Sequence, residues 1–214
     1  MDIRKISIGA DYKSGAMHYI VGQEVLGGSH TPYNFIVKPL NDRRYDNVKE
    51  IGGTDFITSA SEEDHVASNR QAKVVATPID YAGPVEVGDT LLVHHNVFKF
   101  YNDMKGRQKS GRSFLKDNLF LVDNEQFFLY KRDGEWMAHS KYCFIKPIKS
   151  KDSYILKDGE EPLTGVVKYI NQELLDLGVR AGDEISFTPD SEYAFTVDDE
   201  KLYRMFTNNI TMVL

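Results

Sequence analysis

Segments 85–93 and 179–187 share one pattern, and this repetition restricts the possible folds of the chain more than any other feature. Each contains a valine, two further residues and a Gly-Asp pair, which is Gly88-Asp89 in the first segment and Gly182-Asp183 in the second. Glycine accepts a positive φ and aspartate accepts hydrogen bonds from nearby backbone, so the pair is typical of a turn. The apolar alternation that follows is typical of a half-buried strand. A turn and strand written twice indicate an internal duplication.

Three further pairs of segments match in the same order along the chain. They are 33–40 with 142–148, which is one residue shorter, Val74-Val75 with Val166-Val167, and 120–125 with 195–200. From the first strand to the last, matched positions are 109, 92, 94 and 75 residues apart. The first copy therefore has about 17 additional residues before Val74 and about 19 between Val93 and Phe120. Insertions of this kind lie in surface loops and are often functional.

Composition predicts an all-β protein of a reducing compartment. Tyr and Phe occur 12 times each, and short β-branched runs alternate with closely spaced turn signals. Cys143 is the single cysteine, so the chain cannot form an internal disulfide. No apolar run approaches the length of a membrane span, and no signal-peptide pattern follows the first residues. We therefore expect a cytoplasmic protein without a membrane partner.

Catalytic motifs are missing from the sequence. It has no phosphate-binding loop, dinucleotide fingerprint, nucleophile elbow or zinc-spaced cysteines. The prediction is a protein that is not an enzyme and that has no catalytic residues, no cofactor and no metal site.

A basic, glycine-spaced segment at 105–112 is the strongest local concentration of charge. Its cations are Lys105, Arg107, Lys109 and Arg112. They form a possible polyanion-binding site or, alternatively, the solvated tip of a hairpin. The net charge of the chain is −6, which opposes a nucleic-acid-coating role, so a nucleic acid is not the expected partner.

The order of these segments resembles that of GroES co-chaperonin subunits, and the two copies together cover about residues 33–214. In that family a first strand with a Lys-rich end precedes a long mobile loop, a Val-Val strand, Val-x-x-Gly-Asp, an acidic turn and a final strand. The resemblance implies two tandem GroES-like small β-barrels, 33–148 with the long loop and basic hairpin, and 142–214, which shares strand 142–148. Residues 1–32 would form an N-terminal arm, and segment 11–23 is similar to the openings of some phage-encoded proteins.

The resemblance also implies which residues bind a partner. The family's mobile loop has a Gly-Gly pair before a short apolar triplet, and this triplet binds a groove on the chaperonin ring. In the first copy Gly52-Gly53 precedes the matching positions Phe56 and Ile57, and a non-apolar residue, Asp55 or Thr58, takes the third position of the triplet. In the second copy the apolar triplet Tyr154-Ile155-Leu156 lies in the corresponding, shorter loop without a Gly-Gly pair.

The implied function is that of a co-chaperonin. A homo-oligomeric ring would cap a GroEL-type chaperonin of host or viral origin and assist protein folding, in the host cytoplasm if the chain is phage-encoded. The alternative is a phage structural protein of the virion or its assembly, in which the arm and the basic hairpin hold neighbouring subunits on a reused barrel. Capture by a chaperonin ring is expected for the first function only.

Overall fold

The computed structural model describes residues 31–45, 48–51, 54–57, 68–150 and 159–214, with the backbone alone for 48–51 and 54–57. The described residues form strands, two 3-10 turns and one α-helix, α1 (Gln172–Asp176), so the all-β prediction is confirmed. The strands are β1 (Phe35–Pro39), β2 (Val48–Ile51), β3 (Thr54–Ile57), β4 (Gln71–Ala76), β5 (Thr90–Val93), β6 (Phe100–Asn102), β7 (Gln108–Ser110), β8 (Phe114–Lys116), β9 (Leu119–Val122), β10 (Phe127–Arg132), β11 (Glu135–Ala138), β12 (Tyr142–Lys149), β13 (Glu160–Tyr169), β14 (Glu184–Phe187), β15 (Tyr193–Val197), β16 (Glu200–Phe206) and β17 (Ile210–Val213). The arm proposed at 1–32 lies outside the described residues except for its last two.

The chain divides into two compact units, unit 1 up to Phe127 and unit 2 from Phe128. Unit 1 contains antiparallel strands in the order β5-β4-β1-β9-β8. Within it, Val37 of β1 lies opposite Val74 of β4 on one side and opposite Phe120 of β9 on the other. A bulge between Ile36 and Val37 interrupts the pairing with β4. Aromatic side chains fill the interior, with the buried rings of Phe98 and Phe120 edge to face at 4.8 Å.

Unit 2 contains the same arrangement. Its antiparallel strands run in the order β14-β13-β12-β16-β15, with β17 beside β14. Ile145 of β12 lies opposite Val167 of β13 and Tyr203 of β16, and a bulge again precedes it, between Phe144 and Ile145. The duplication that the sequence predicts is therefore present in the strand order, in the register and in the bulge.

The two Gly-Asp turns form the same set of hydrogen bonds. In unit 1 Gly88 has φ of 97°, and its N–H donates to the Val74 carbonyl at 2.9 Å. The Val74 N–H donates to the Asp89 carbonyl at 2.9 Å, while the Glu86 N–H donates to Asp89 Oδ2 at 2.8 Å. Unit 2 has the same three bonds, and Gly182 has φ of 96°. The Gly182 N–H donates to the Val167 carbonyl at 2.8 Å, the Val167 N–H to the Asp183 carbonyl at 2.9 Å, and the Arg180 N–H to Asp183 Oδ2 at 2.8 Å. Each turn thus fixes the start of one strand against the middle of its neighbour.

The register corrects the details of the sequence matches. Val74 is equivalent to Val167 rather than to Val166, and Val37 rather than Ile36 is equivalent to Ile145, so these matches are displaced by one residue. In a run of apolar residues the sequence alone does not distinguish two alignments that differ by one residue. In the structure, that difference exchanges the two faces of a strand.

The match of 120–125 with 195–200 is wrong. Strand β9 is equivalent to β16, because Phe120 and Tyr203 occupy the same place opposite Val37 and Ile145. The equivalent tight turns are Asp117-Asn118 and Asp198-Asp199, all four residues having positive φ. Short Asx-rich turns recur along the chain, and the sequence comparison paired two that belong to different hairpins.

Substitution of Gly182 by alanine should lower the free energy of unfolding by about 1–2 kcal/mol, the cost of placing an L side chain in the left-handed region. A Cβ at this position would have no atom within 4 Å, so the backbone conformation alone causes the loss. Urea unfolding measures the change. The variant Gly182→Asn should lose less, since asparagine tolerates this conformation. Equal losses in the two variants would contradict the explanation.

Candidate interaction site

Two insertions distinguish unit 1 from unit 2. Equivalent residues of the two units are 108 positions apart in β1 and β12, and 93 apart in β4 and β13. They are 94 apart in β5 and β14, and 81 apart at the turns that follow β8 and β15. Unit 1 therefore has 15 additional residues between β1 and β4 and 13 between β5 and β8. We call the first connection, residues 40–70, insertion A, and the second, residues 94–113, insertion B. Segments present in one copy and absent from the other are where a function specific to that copy is expected.

The two ends of insertion A are tied to each other. Asn69 donates through Nδ2 to the carbonyls of Leu40 and Arg43 at 3.1 and 2.7 Å, and its N–H donates to the Arg44 carbonyl at 2.9 Å. Tyr45 forms an isolated antiparallel bridge with Ser68. Insertion A therefore leaves and rejoins the sheet through one closed root.

Insertion B is joined to that root. The Ser68 hydroxyl donates to the His95 carbonyl at 2.9 Å, and the Phe100 N–H donates to the Tyr45 hydroxyl at 2.9 Å. The rings of Tyr45 and Phe100 are stacked, with centroids 6.1 Å apart and an interplanar angle of 18°. The two insertions are thus connected by hydrogen bonds and by ring contact.

Arg44 lies at the centre of this junction. Its guanidinium carbon is 4.0 Å from the ring centroid of Phe100, 4.7 Å from that of Phe120 and 5.0 Å from that of Phe114. Its Nη1 donates to the Ser110 hydroxyl at 3.2 Å. Burial lowers the pKa of Arg44, and the three rings supply the cation–π attraction that compensates for lost hydration. Sequence reasoning missed this residue, because its partners lie some 56 to 76 positions away.

Within insertion A, β2 and β3 form an antiparallel hairpin. Val48 lies opposite Ile57 and Lys49 opposite Phe56. The sequence predicts a long loop here, whereas the structure places Phe56 and Ile57 in a strand, and in the described part of the chain β3 pairs with β2 alone. Thr58 and the triplet Tyr154-Ile155-Leu156 lie outside the described residues.

Within insertion B, β6 and β7 form the hairpin that the glycine-spaced basic segment predicts. Asp103 organises its tip, because its Oδ1 accepts the N–H groups of both Lys105 and Arg107 at 2.9 Å. The four predicted cations, Lys105, Arg107, Lys109 and Arg112, are all exposed, and none forms an ion pair with a described residue. On the strands, Phe100 and Ser110 pair on the side held by Arg44, while Tyr101 and Lys109 pair on the opposite side. We call residues 100–112, which comprise β6, β7, their connection and the two residues after β7, the basic hairpin.

Titratable groups with shifted pKa values also occur outside the two insertions. Burial raises the pKa of the Cys143 thiol to about 12 and lowers the pKa of His139 to about 4. A thiol with such a pKa is protonated at neutral pH and is a poor nucleophile. The Lys131 ammonium donates to Asp198 Oδ2 at 2.9 Å and lowers the pKa of that carboxyl, which also accepts the Trp136 indole N–H.

Two other kinds of site are absent from the described residues. No helix among them is long and apolar enough to cross a membrane. No group of three or more His, Cys, Asp or Glu residues in the described part is arranged to hold a metal ion.

Substitution of Tyr45 by phenylalanine should loosen the junction of the two insertions while retaining the ring stack. The Phe100 N–H loses its acceptor, which costs about 1 kcal/mol of local stability. Hydrogen exchange should therefore be faster at the Phe100 amide and through β6, and unchanged in β14. The exposed Tyr33→Phe is the matched control. Unchanged exchange at Phe100 in the Tyr45 variant would show that this bond does not hold insertion B.

No protein-family model and no curated protein sequence matches the chain. Functional assignment therefore depends on the residues of the chain itself: the duplicated sheet, the joined insertions of unit 1 and the side chains that they expose.

Proposed function

We propose that this chain is a co-chaperonin built from two tandem GroES-like barrels, and that insertion A binds a GroEL-type chaperonin ring through Phe56 and Ile57. The duplicated sheet is the observation that carries the proposal. Each copy has the Val-x-x-Gly-Asp turn of the resemblance, in the same register against the same strand. In unit 1 the long connection of the resemblance also lies between the strands where that family has its partner-binding loop.

The hairpin of insertion A suits a reversible contact. A short strand can add to the edge of a partner's sheet, and apolar side chains can fill a groove. A single hairpin offers a small interface, and small interfaces are typical of transient contacts. A ring of subunits compensates through avidity, because several weak contacts form together without any new type of contact. A lid that binds and leaves in each cycle needs this combination.

The second copy supplies a further candidate contact. Its connection between β12 and β13 contains Tyr154, Ile155 and Leu156, the other apolar triplet of the resemblance. This connection is 15 residues shorter than insertion A, so insertion A reaches further and is the first candidate for the partner contact. The triplet of the second copy would add to it or act on a different subunit.

Self-association is supported by an exposed edge in unit 2. Strand β17 ends the order of its sheet, and Met212, Val213 and Leu214 are 59%, 48% and 61% exposed. An edge strand with apolar side chains offers both backbone groups and apolar surface to another chain. The proposed homo-oligomer would bury this edge.

The variant with Phe56→Asp and Ile57→Asp should no longer be captured by a GroEL-type ring in the presence of nucleotide, because two charges replace the apolar contact. A pull-down of wild type and variant measures capture. The control is Val87→Asp with Leu177→Asp, two apolar residues that are 58% and 71% exposed outside the insertions. If wild type is not captured but is found in assembled phage particles, the structural alternative is correct.

Met212→Lys with Val213→Glu should reduce the oligomer to smaller species, because charges on an edge strand oppose pairing with another chain. Native mass spectrometry measures the number of chains. Leu177→Glu, a charge placed on an exposed residue away from the edge, should leave the assembly intact. A monomeric wild type would contradict the ring.

A further inference from the structure

Insertion B concentrates positive charge in an acidic protein. Residues 94–113 contain five cations and one carboxylate, a net charge of +4, whereas the whole chain has a net charge of −6. Its carboxylate, Asp103, is committed to the backbone of the hairpin tip, as described above. Lys105, Arg107, Lys109 and Arg112 are exposed and form no ion pair with a described residue, which predicts a partner of opposite charge.

The basic hairpin is also positioned before any partner arrives. Arg44 and Tyr45 of insertion A hold Phe100 and Ser110 at its root through the contacts described above. These contacts fix its root relative to the root of insertion A, which carries Phe56 and Ile57. A partner held by one insertion is consequently within reach of the other, and binding requires little further ordering of the basic hairpin.

We infer that the basic hairpin is a second contact to the partner of insertion A, and that it binds an acidic patch beside the groove that receives Phe56 and Ile57. This inference rests on the proposed function. Lys105, Arg107, Lys109 and Arg112 supply the ionic part of the contact. Exposed ion pairs add little affinity individually, but a complementary patch accelerates association and selects the orientation of the partner.

A compact acidic patch fits this hairpin better than a nucleic acid does. Strands of three residues reach roughly 10 Å from their root. The field of the cations extends about one Debye length, roughly 8 Å at physiological ionic strength. A long polyanion would extend beyond this field and meet the remaining residues of the chain, which have a net charge of −10. A patch of a few carboxylates on a protein surface avoids that repulsion.

The association rate constant with a GroEL-type ring, measured between 20 and 300 mM KCl, tests the inference. The variant in which Lys105, Arg107, Lys109 and Arg112 are all alanine should associate about tenfold more slowly at low salt, the smallest gain expected of electrostatic steering. Its rate should also depend much less on salt than that of wild type. The control replaces Lys73, Lys116, Lys149 and Arg180, four exposed cations outside both insertions, by alanine and has the same net charge. It should retain most of the wild-type rate and salt dependence.

Each failure has a distinct result. If wild type does not bind the ring at any salt concentration, the proposed function fails and this inference fails with it. If wild type binds and the basic-hairpin variant has the same rate and salt dependence, the inference is wrong and the proposed function stands. Binding of a single-stranded 20-mer DNA that requires the four cations, together with unchanged ring association, would assign the hairpin to nucleic acid and also overturn the inference.

Discussion

Each sheet depends on the hydrogen-bonded pair formed by a Gly-Asp turn and the valine opposite it. Val74 and Val167 each donate and accept one bond to their turns, which sets the register of the third strand against the second. On the other side of the second strand, the bulge in the first strand sets the register of the first strand against the second. Because side chains alternate between faces, these two constraints decide which face of the sheet each residue of the first three strands occupies.

Divergence between the two copies is confined to what lies outside this framework. Unit 2 has α1, whose first turn is capped by the buried Asn171, in a connection where unit 1 has no helix in its described residues. Unit 1 has the two insertions, and it is there that apolar and basic hairpins occur in connections rather than in the sheet. Unit 2 thus has the shorter connections, while unit 1 carries two longer insertions around an equivalent sheet.

Local chemistry in the sequence predicted much of the fold. Gly88-Asp89 and Gly182-Asp183 are sufficient to indicate two equivalent turns, since the turn depends on residues next to each other. The register of the strands was harder to predict from the sequence. Neighbouring valines such as Val74 and Val75 are equivalent in an apolar pattern, but they lie on opposite faces of a strand. The β2–β3 hairpin had a signal, two short runs separated by Gly52-Gly53, which the expected mobile loop overrode. The junction around Arg44 had none, because its contacts join residues distant in sequence.

The stacking of Arg44 on rings from insertion B and the neighbouring strands has a consequence for how the chain can be shortened. Deletion of insertion A alone would remove the cation and leave Phe100 and Phe114 more exposed to water. Deletion of insertion B alone would remove two partners of the Arg44 guanidinium, the Phe100 ring and the Ser110 hydroxyl. The two segments are therefore a single cassette in the engineering sense. They can be deleted together to give a sheet like that of unit 2, or transferred together to another protein. Deletion of one of them alone would leave the other without its contacts.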